Sequence, residues 1–168
     1  MYDDILDRYR KRYITNDQLA EYARLNVITA EQQQMIMNDG KSRTLQESKY
    51  ARIAQSKADL ETYLAEHPLQ WTDGEYYSIT VEKQNQLTSK IMAATMAQSL
   101  STDYTLTWNS TGEVCRVWEL SELIALAFAI DARVTKLVGY QQAQEVAMRN
   151  AETLDELNAI TVDYGSVQ

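Results

Sequence analysis

The chain has 168 residues, 45% apolar and 24% charged, with a formal net charge of -8 and a pI near 4.7. That is enough chain for one sizeable domain or two small ones, and the acidic balance argues against a general nucleic-acid binder or a ligand of anionic membranes, both of which carry a basic face. No apolar run reaches membrane-span length, the opening MYDDILDRYRKRY lacks the apolar stretch of a secretory signal, and Cys115 as the only cysteine rules out an internal disulfide or a cysteine zinc cluster.

Tyr2, Ile5, Leu6 and Tyr9 recur at helical spacing and predict a first helix over 2–12. Asp3, Asp4 and Asp7 near its start and Arg8, Arg10, Lys11 and Arg12 near its end suit the helix dipole; the functional alternative is an anion or nucleic-acid contact through Arg8 to Arg12. The stretch YITNDQLAEYARLNVITAEQQQMI, residues 13–36, then repeats itself: Ile14-Thr15-x-x-Gln18 is followed by Ile28-Thr29-x-x-Gln32. Threonine three residues before glutamine is a capping box, and the preceding isoleucine suits a hydrophobic staple. The repeat therefore predicts two helix starts, over 16–25 and 30–38, with Gly40 as a C-cap.

Thr44-Leu45-Gln46-Glu47 gives the same start signal for a helix reaching Glu66, roughly 30 Å long. Its apolar stripe is thin: Leu45, Tyr50, Ile53, Ala54, Leu60, Tyr63 and Leu64. Such a stripe suits an exposed connecting helix or one packed on a partner chain. The only proline, Pro68, follows and biases His67 away from helix. Residues 67–168 carry 13 acidic and 6 basic side chains, against 7 and 5 in 1–40. These signals divide the chain into a helical module 1–40, a connecting helix 41–66 and a C-terminal domain 67–168.

In that domain, LQWTDGEYYSIT reads as a short hairpin about Thr72-Asp73-Gly74. A helix follows from the Thr80 cap, with Val81, Leu87, Ile91, Ala94 and Met96 inward. YTLTWNSTGEVCRVWEL reads as a second hairpin, strands 104–108 and 113–118. A long helix from Glu122 to about Asn150, capped by Ser121, is apolar nearly all round in its first half and so reads as the core helix. Thr153-x-x-Glu156 caps a helix over 154–159, and ITVDYGSV ends as a tail or short strand. The fold class is mostly α (α+β): a helical module, a long connecting helix, and helices with two short β-hairpins.

Catalytic signals are weak. His67 is the only histidine and reads as a helix-end or surface residue. Cys115 reads as a buried thiol. Glu145, Glu152, Asp155, Glu156 and Asp163 lack the loop pattern of a calcium site and read as a solvated face. The glycines are too far apart for a phosphate loop. No catalytic residue, metal or cofactor is expected. Trp71, Trp108 and Trp118, with Tyr76, Tyr77 and Tyr104, form either a sugar-stacking or partner face or, as the preferred reading, the core of a small sheet.

Two stretches bear family likenesses. Tyr13-Ile14-Thr15, Leu19, Tyr22 and Ile28-Thr29-x-Glu31-Gln32 carry a pattern that resembles the XkdX family of short phage proteins encoded among tail and baseplate genes. The Trp-x-x-Gly, Leu-Thr-Trp-Asn-x-Thr-Gly-Glu and Tyr-Gln-x-Ala-Gln-Glu-Val features of 67–168 resemble an uncharacterised domain of phage tail-fibre-associated proteins. The resemblance implies a virion protein of tail or baseplate, made in the bacterial host cytoplasm. Its role would be that of a structural adaptor to fibre or receptor-binding proteins, present as a homo-oligomer or in multiple copies, without nucleic-acid or membrane partners. A tail-fibre assembly chaperone is the alternative. An enzyme using Glu75 and Glu113 is a remote third, since a glycosidase needs facing carboxylates. The side chains expected to meet partners are Tyr9, Tyr13, Leu19, Tyr22, Tyr50, Ile53, Leu60, Trp71 and Tyr76.

Overall fold

The computed structural model describes residues 1–167. In chain order these form α1 (Tyr2–Arg10), α2 (Asn16–Arg24), α3 (Ala30–Glu66), β1 (Leu69–Gln70), β2 (Tyr76–Tyr77), α4 (Val81–Ser99), β3 (Thr107–Trp108), β4 (Arg116–Val117), α5 (Leu120–Asn150) and α6 (Leu154–Ala159), closed by a 3-10 turn at Tyr164–Ser166. The protein is mostly helical, with two antiparallel strand pairs, β1–β2 and β3–β4. It divides into two compact units. Unit 1 comprises Met1–Arg52 with Asn150–Ala159; unit 2 begins at Ile53, runs to Arg149 and resumes at Ile160.

In unit 1 the sequence repeat is one connection used twice. Each copy stops a helix and starts the next. At the end of α1, Arg12 adopts a left-handed conformation (φ 61°), with Tyr13 N donating to Arg8 O and Arg12 N to Tyr9 O. At the end of α2, Asn26 (φ 55°) repeats the pattern, Val27 N donating to Tyr22 O and Asn26 N to Ala23 O. These are Schellman stops, which satisfy the last helical carbonyls. Three residues on, the capping boxes start α2 and α3: Gln18 N donates to Thr15 Oγ1 at 3.3 Å and Thr15 N to Gln18 Oε1 at 2.9 Å, and Thr29 and Gln32 do the same. Ile14 and Ile28, between stop and start, are buried with Ile5, Leu19 and Ile36.

The predicted break near Gly40 is absent: α3 is continuous from Ala30 to Glu66. Thr44 is not a cap; its hydroxyl donates back to Gly40 O at 3.0 Å. Gly40 instead makes room for a ring. A Cβ there would lie 2.6 Å from Tyr9 Cε1, so its missing side chain is a packing requirement rather than a stop signal.

In unit 2 the latter part of α3 buries Ile53, Ser56, Leu60 and Leu64, a 3-4-4 spacing that marks one face of a helix. The reading of Ala54 and Tyr50 on that stripe is corrected, since both are exposed; the burial passes through polar Ser56 instead. On α5 the buried positions are Leu123, Leu126, Ile130, Leu137, Gln141 and Met148. Ser56 meets Gln141, Lys57 meets Glu145, and Tyr63 meets Arg133. From Ser56 to Tyr63 the partner falls from Gln141 to Arg133, so the two helices run antiparallel. Tyr164 inserts beside them and donates its hydroxyl to Ser56 O at 2.6 Å. The C-terminal stretch is therefore neither a strand nor a free tail: Asp163 caps the 3-10 turn through Gly165 N at 2.9 Å.

Other expectations are corrected in detail. Val81 and Met96 on α4 are exposed, leaving Leu87 and Ala94 buried with Ile91 against them. The second hairpin pairs only Thr107–Trp108 with Arg116–Val117, and Cys115 beside it is exposed. α5 starts at Leu120, with Leu123 N donating to Glu119 O, so Ser121 lies inside the first turn rather than capping it. Its apolar first half is buried on one face only.

Candidate functional site

The chemistry-bearing side chains fall into three local sets, and their geometry decides what each can do. The first ties the two hairpins of unit 2 together. The Asp73 carboxylate accepts from Tyr77 Oη at 2.8 Å and Arg116 Nη2 at 2.7 Å through Oδ2, and from Glu75 N at 3.0 Å through Oδ1. Burial raises the Asp73 pKa, but the Tyr77 hydroxyl, the Glu75 amide and Arg116 outweigh it and hold the group below the usual carboxylate value. Arg116 also lies 4.2 Å from the centre of the Trp118 ring, within cation–π range. Thr111 N donates to Tyr76 O at 2.7 Å, joining the second turn to β2 through the backbone.

Most of the tryptophan face is spent on this core. Trp108, Trp118 and Tyr77 are buried, Tyr77 edge-on to Trp118 with ring centres 5.7 Å apart, and Trp71 packs against them. Trp118 Nε1 is buried and has no acceptor among the described residues. Tyr76 and Tyr104 remain exposed. Beside Trp108 a shallow groove of about 680 Å³ runs along α4, floored by Lys83, Gln86, Tyr104 and Cys115.

The second set is the polar seam between α3 and α5. Gln141 Nε2 donates to Ser56 Oγ at 3.3 Å and to Glu145 Oε2 at 3.4 Å. Glu145 also pairs with Arg149 at 2.6 Å and Lys57 at 2.9 Å. The acid cluster read from sequence is thus not a shared site, since Glu145 is occupied by cations in unit 2. Arg149 first, then Lys57, pull its pKa from 4.5 to about 2. A carboxyl depressed by folding stabilises most above its unfolded value. Its contribution is therefore full above about pH 4.5 and is lost as pH falls toward 2. Glu145→Gln is expected to flatten the acid limb of the stability curve over that window at low salt; superimposable curves for variant and wild type would remove Glu145 from the account. Tyr164 shows the complementary effect: burial, then Asp59 and Tyr140, push it up to about 12.

The third set surrounds a groove of about 970 Å³ in unit 1, between α1, the middle of α3 and the start of α6. The basic run of α1 faces carboxylates rather than an open anion site: Arg8 pairs with Asp4, Lys11 with Asp7, Arg10 with Asp39 and Arg12 with Glu47. Tyr9 donates to Asn16 Oδ1 at 2.6 Å.

The residues expected to meet partners divide by burial. Leu19, Ile53 and Leu60 lie in the chain's own interior. Tyr9, Tyr22 and Trp71 are half-buried against the two cores. Tyr13, Tyr50 and Tyr76 are exposed, Tyr13 at 74%. Exposed Leu25 and Met35 on unit 1 were missed, because an apolar residue off the inner face carries no periodic signal. His67 stacks on Tyr63 with ring centres 3.9 Å apart, and its Nδ1 lies 3.0 Å from Tyr63 O, the position of a side chain closing a helix end. Glu75 is engaged with Ser110 at 3.4 Å. Among the described residues no group of three or more His, Cys, Asp or Glu side chains is placed to hold a metal, and no helix is long and apolar enough to cross a membrane.

Residues 2–38 match the family described as Phage uncharacterised protein (Phage_XkdX). The XkdX match spans α1, α2 and the start of α3, and so both copies of the stop-and-start connection. It ties the N-terminal segment to a phage-associated family. No curated protein and no solved structure matches the chain. None of these comparisons supports the likeness of 67–168 to a tail-fibre-associated domain.

Proposed function

We propose that this chain is a non-catalytic structural protein of a bacteriophage or phage-tail-like particle. In this reading unit 1 docks on a tail-tip or baseplate component, and unit 2 engages a fibre or receptor-binding protein. The observation that carries the reading is the XkdX match over 2–38, a segment with its own small core of Ile5, Ile14, Leu19, Ile28 and Ile36. The same unit displays Tyr13, Leu25, Met35 and Tyr50 to solvent. Tyrosine is favoured at interfaces because a large apolar ring carries a polar tip.

Mass spectrometry of gradient-purified particles tests this. Peptides from the chain are expected at a fixed ratio to a known tail protein, and a Tyr13→Ser/Tyr50→Ser variant is expected to fall at least several-fold in that ratio while still folding. Abundance in the lysate with absence from particles would instead make the protein an assembly factor and end the structural reading.

A further inference from the structure

The sequence makes the first half of α5 apolar nearly all round, yet only one side of it is covered. The buried face runs through Leu123, Leu126, Ile130 and Leu137. Opposite it, Ala125, Phe128, Ala132, Thr135, Gly139 and Val146 are all exposed. These positions recur at 3-4-3-4-7 spacing, the seam of a two-stranded coiled coil over three heptads. None is charged. Phe128, the only phenylalanine of the chain, is 70% exposed. Nothing lies within 4 Å of a Cβ built on Gly139, so a second helix can approach closely there.

We propose that α5 pairs through this face with α5 of a second copy of the chain, parallel and in register. Charge complementarity selects this occupant. With Ala125, Ala132, Gly139 and Val146 at a and Phe128 and Thr135 at d, Asp131 falls at g and Lys136 at e. In a parallel pair each g residue meets the e residue five positions on in the other helix, so Asp131 of each copy faces Lys136 of the other. Both are exposed, and neither has an ion-pair partner among the described residues. The next apolar pairings are Ile124 with Ala129, both partly covered already. Antiparallel packing sets g against g and e against e. No antiparallel register therefore brings Asp131 of one copy to Lys136 of the other.

Sedimentation equilibrium on the full chain tests the pairing. The wild type is expected to form dimers at micromolar concentration. Phe128→Glu is expected to raise the dissociation constant roughly a hundredfold or more, since two rings leave the interface. Met96→Glu, on the exposed side of α4, is expected to leave the mass unchanged. Asp131→Lys and Lys136→Asp are each expected to weaken the dimer and their combination to restore it, a readout independent of whether Phe128→Glu folds. Thr135→Cys in a Cys115→Ser background is expected to form a disulfide with its own copy. A monomeric wild type overturns the proposal. So does a dimer insensitive to Phe128→Glu, one broken by Met96→Glu, or a double charge swap that fails to recover it. A heterologous partner covering the face would appear as a monomeric wild type and is overturning in the same way.

Discussion

Gly40→Ala destabilises unit 1, although alanine is the better helix former. In an exposed helix interior the change gains about 1 kcal/mol from propensity. Here the new methyl would lie 2.6 Å from Tyr9 Cε1 and 3.2 Å from its hydroxyl. The ring cannot swing aside freely, because it packs on the unit 1 core and its hydroxyl is tied to Asn16 at 2.6 Å. Overpacking of this kind costs about 1–3 kcal/mol, so the clash outweighs the gain and the net loss is up to about 2 kcal/mol. The sign reverses in a Tyr9→Ala background, where Gly40→Ala is expected to stabilise by about 1 kcal/mol. Chemical denaturation of the four chains of this cycle measures both numbers. A stabilising Gly40→Ala with Tyr9 intact would show that the ring does not rest on this glycine.

The second large effect is expected at Asp73. Asp73→Ala removes the acceptor of three hydrogen bonds at once, from Tyr77, Arg116 and Glu75 N. Tyr77 is buried, so its hydroxyl is left with Arg116 Nη2 at 3.3 Å. Hydrogen bonds to a charged acceptor contribute about 1.5–3 kcal/mol, and a stranded donor adds its desolvation. A loss of about 2–3 kcal/mol is expected. Arg116→Ala should lose less, because half of that side chain is in solvent and exposed ion pairs contribute up to about 1 kcal/mol. Tyr77→Phe and Asp73→Ala together should cost less than their sum, since they share one bond. A change within about 0.5 kcal/mol for Asp73→Ala, the scale of an ordinary surface substitution, would mean that the two hairpins are held by packing alone.

Local chemistry explains which parts of this fold were legible. Thr15-Gln18 and Thr29-Gln32 announced helix starts because a capping box closes within three residues. The stops at Arg12 and Asn26 were not legible, since the left-handed residue there is not glycine and only the backbone bonds identify it. Gly40 misled for the opposite reason: a glycine after a periodic run is the local mark of a stop, and its actual role depends on Tyr9 on another helix. Ser56 and Gln141 escaped because a stripe traced by apolar residues passes over a polar pair that satisfies itself. Cys115, in a predicted strand between Val114 and Arg116, reads as buried, but the ladder holds only two residue pairs and leaves it in solvent.

Aromatic character alone did not mark the exposed side chains, since Tyr9, Tyr22 and Trp71 are half-buried. Tyr13, Tyr50 and Tyr76 stayed outside, while Leu19, Ile53 and Leu60, chosen by the same apolar logic, went inside. Sequence alone determined the helical class, the capping-box starts of α2 and α3 and the resemblance of the first segment to a phage family, because each is written in residues close together along the chain. Only the tertiary structure decided that α3 runs unbroken past Gly40, that Asp73 joins the two hairpins, and that α5 hides one of its two apolar faces. Those outcomes depend on contacts between residues distant in sequence, and no local pattern reports which neighbour a side chain will meet.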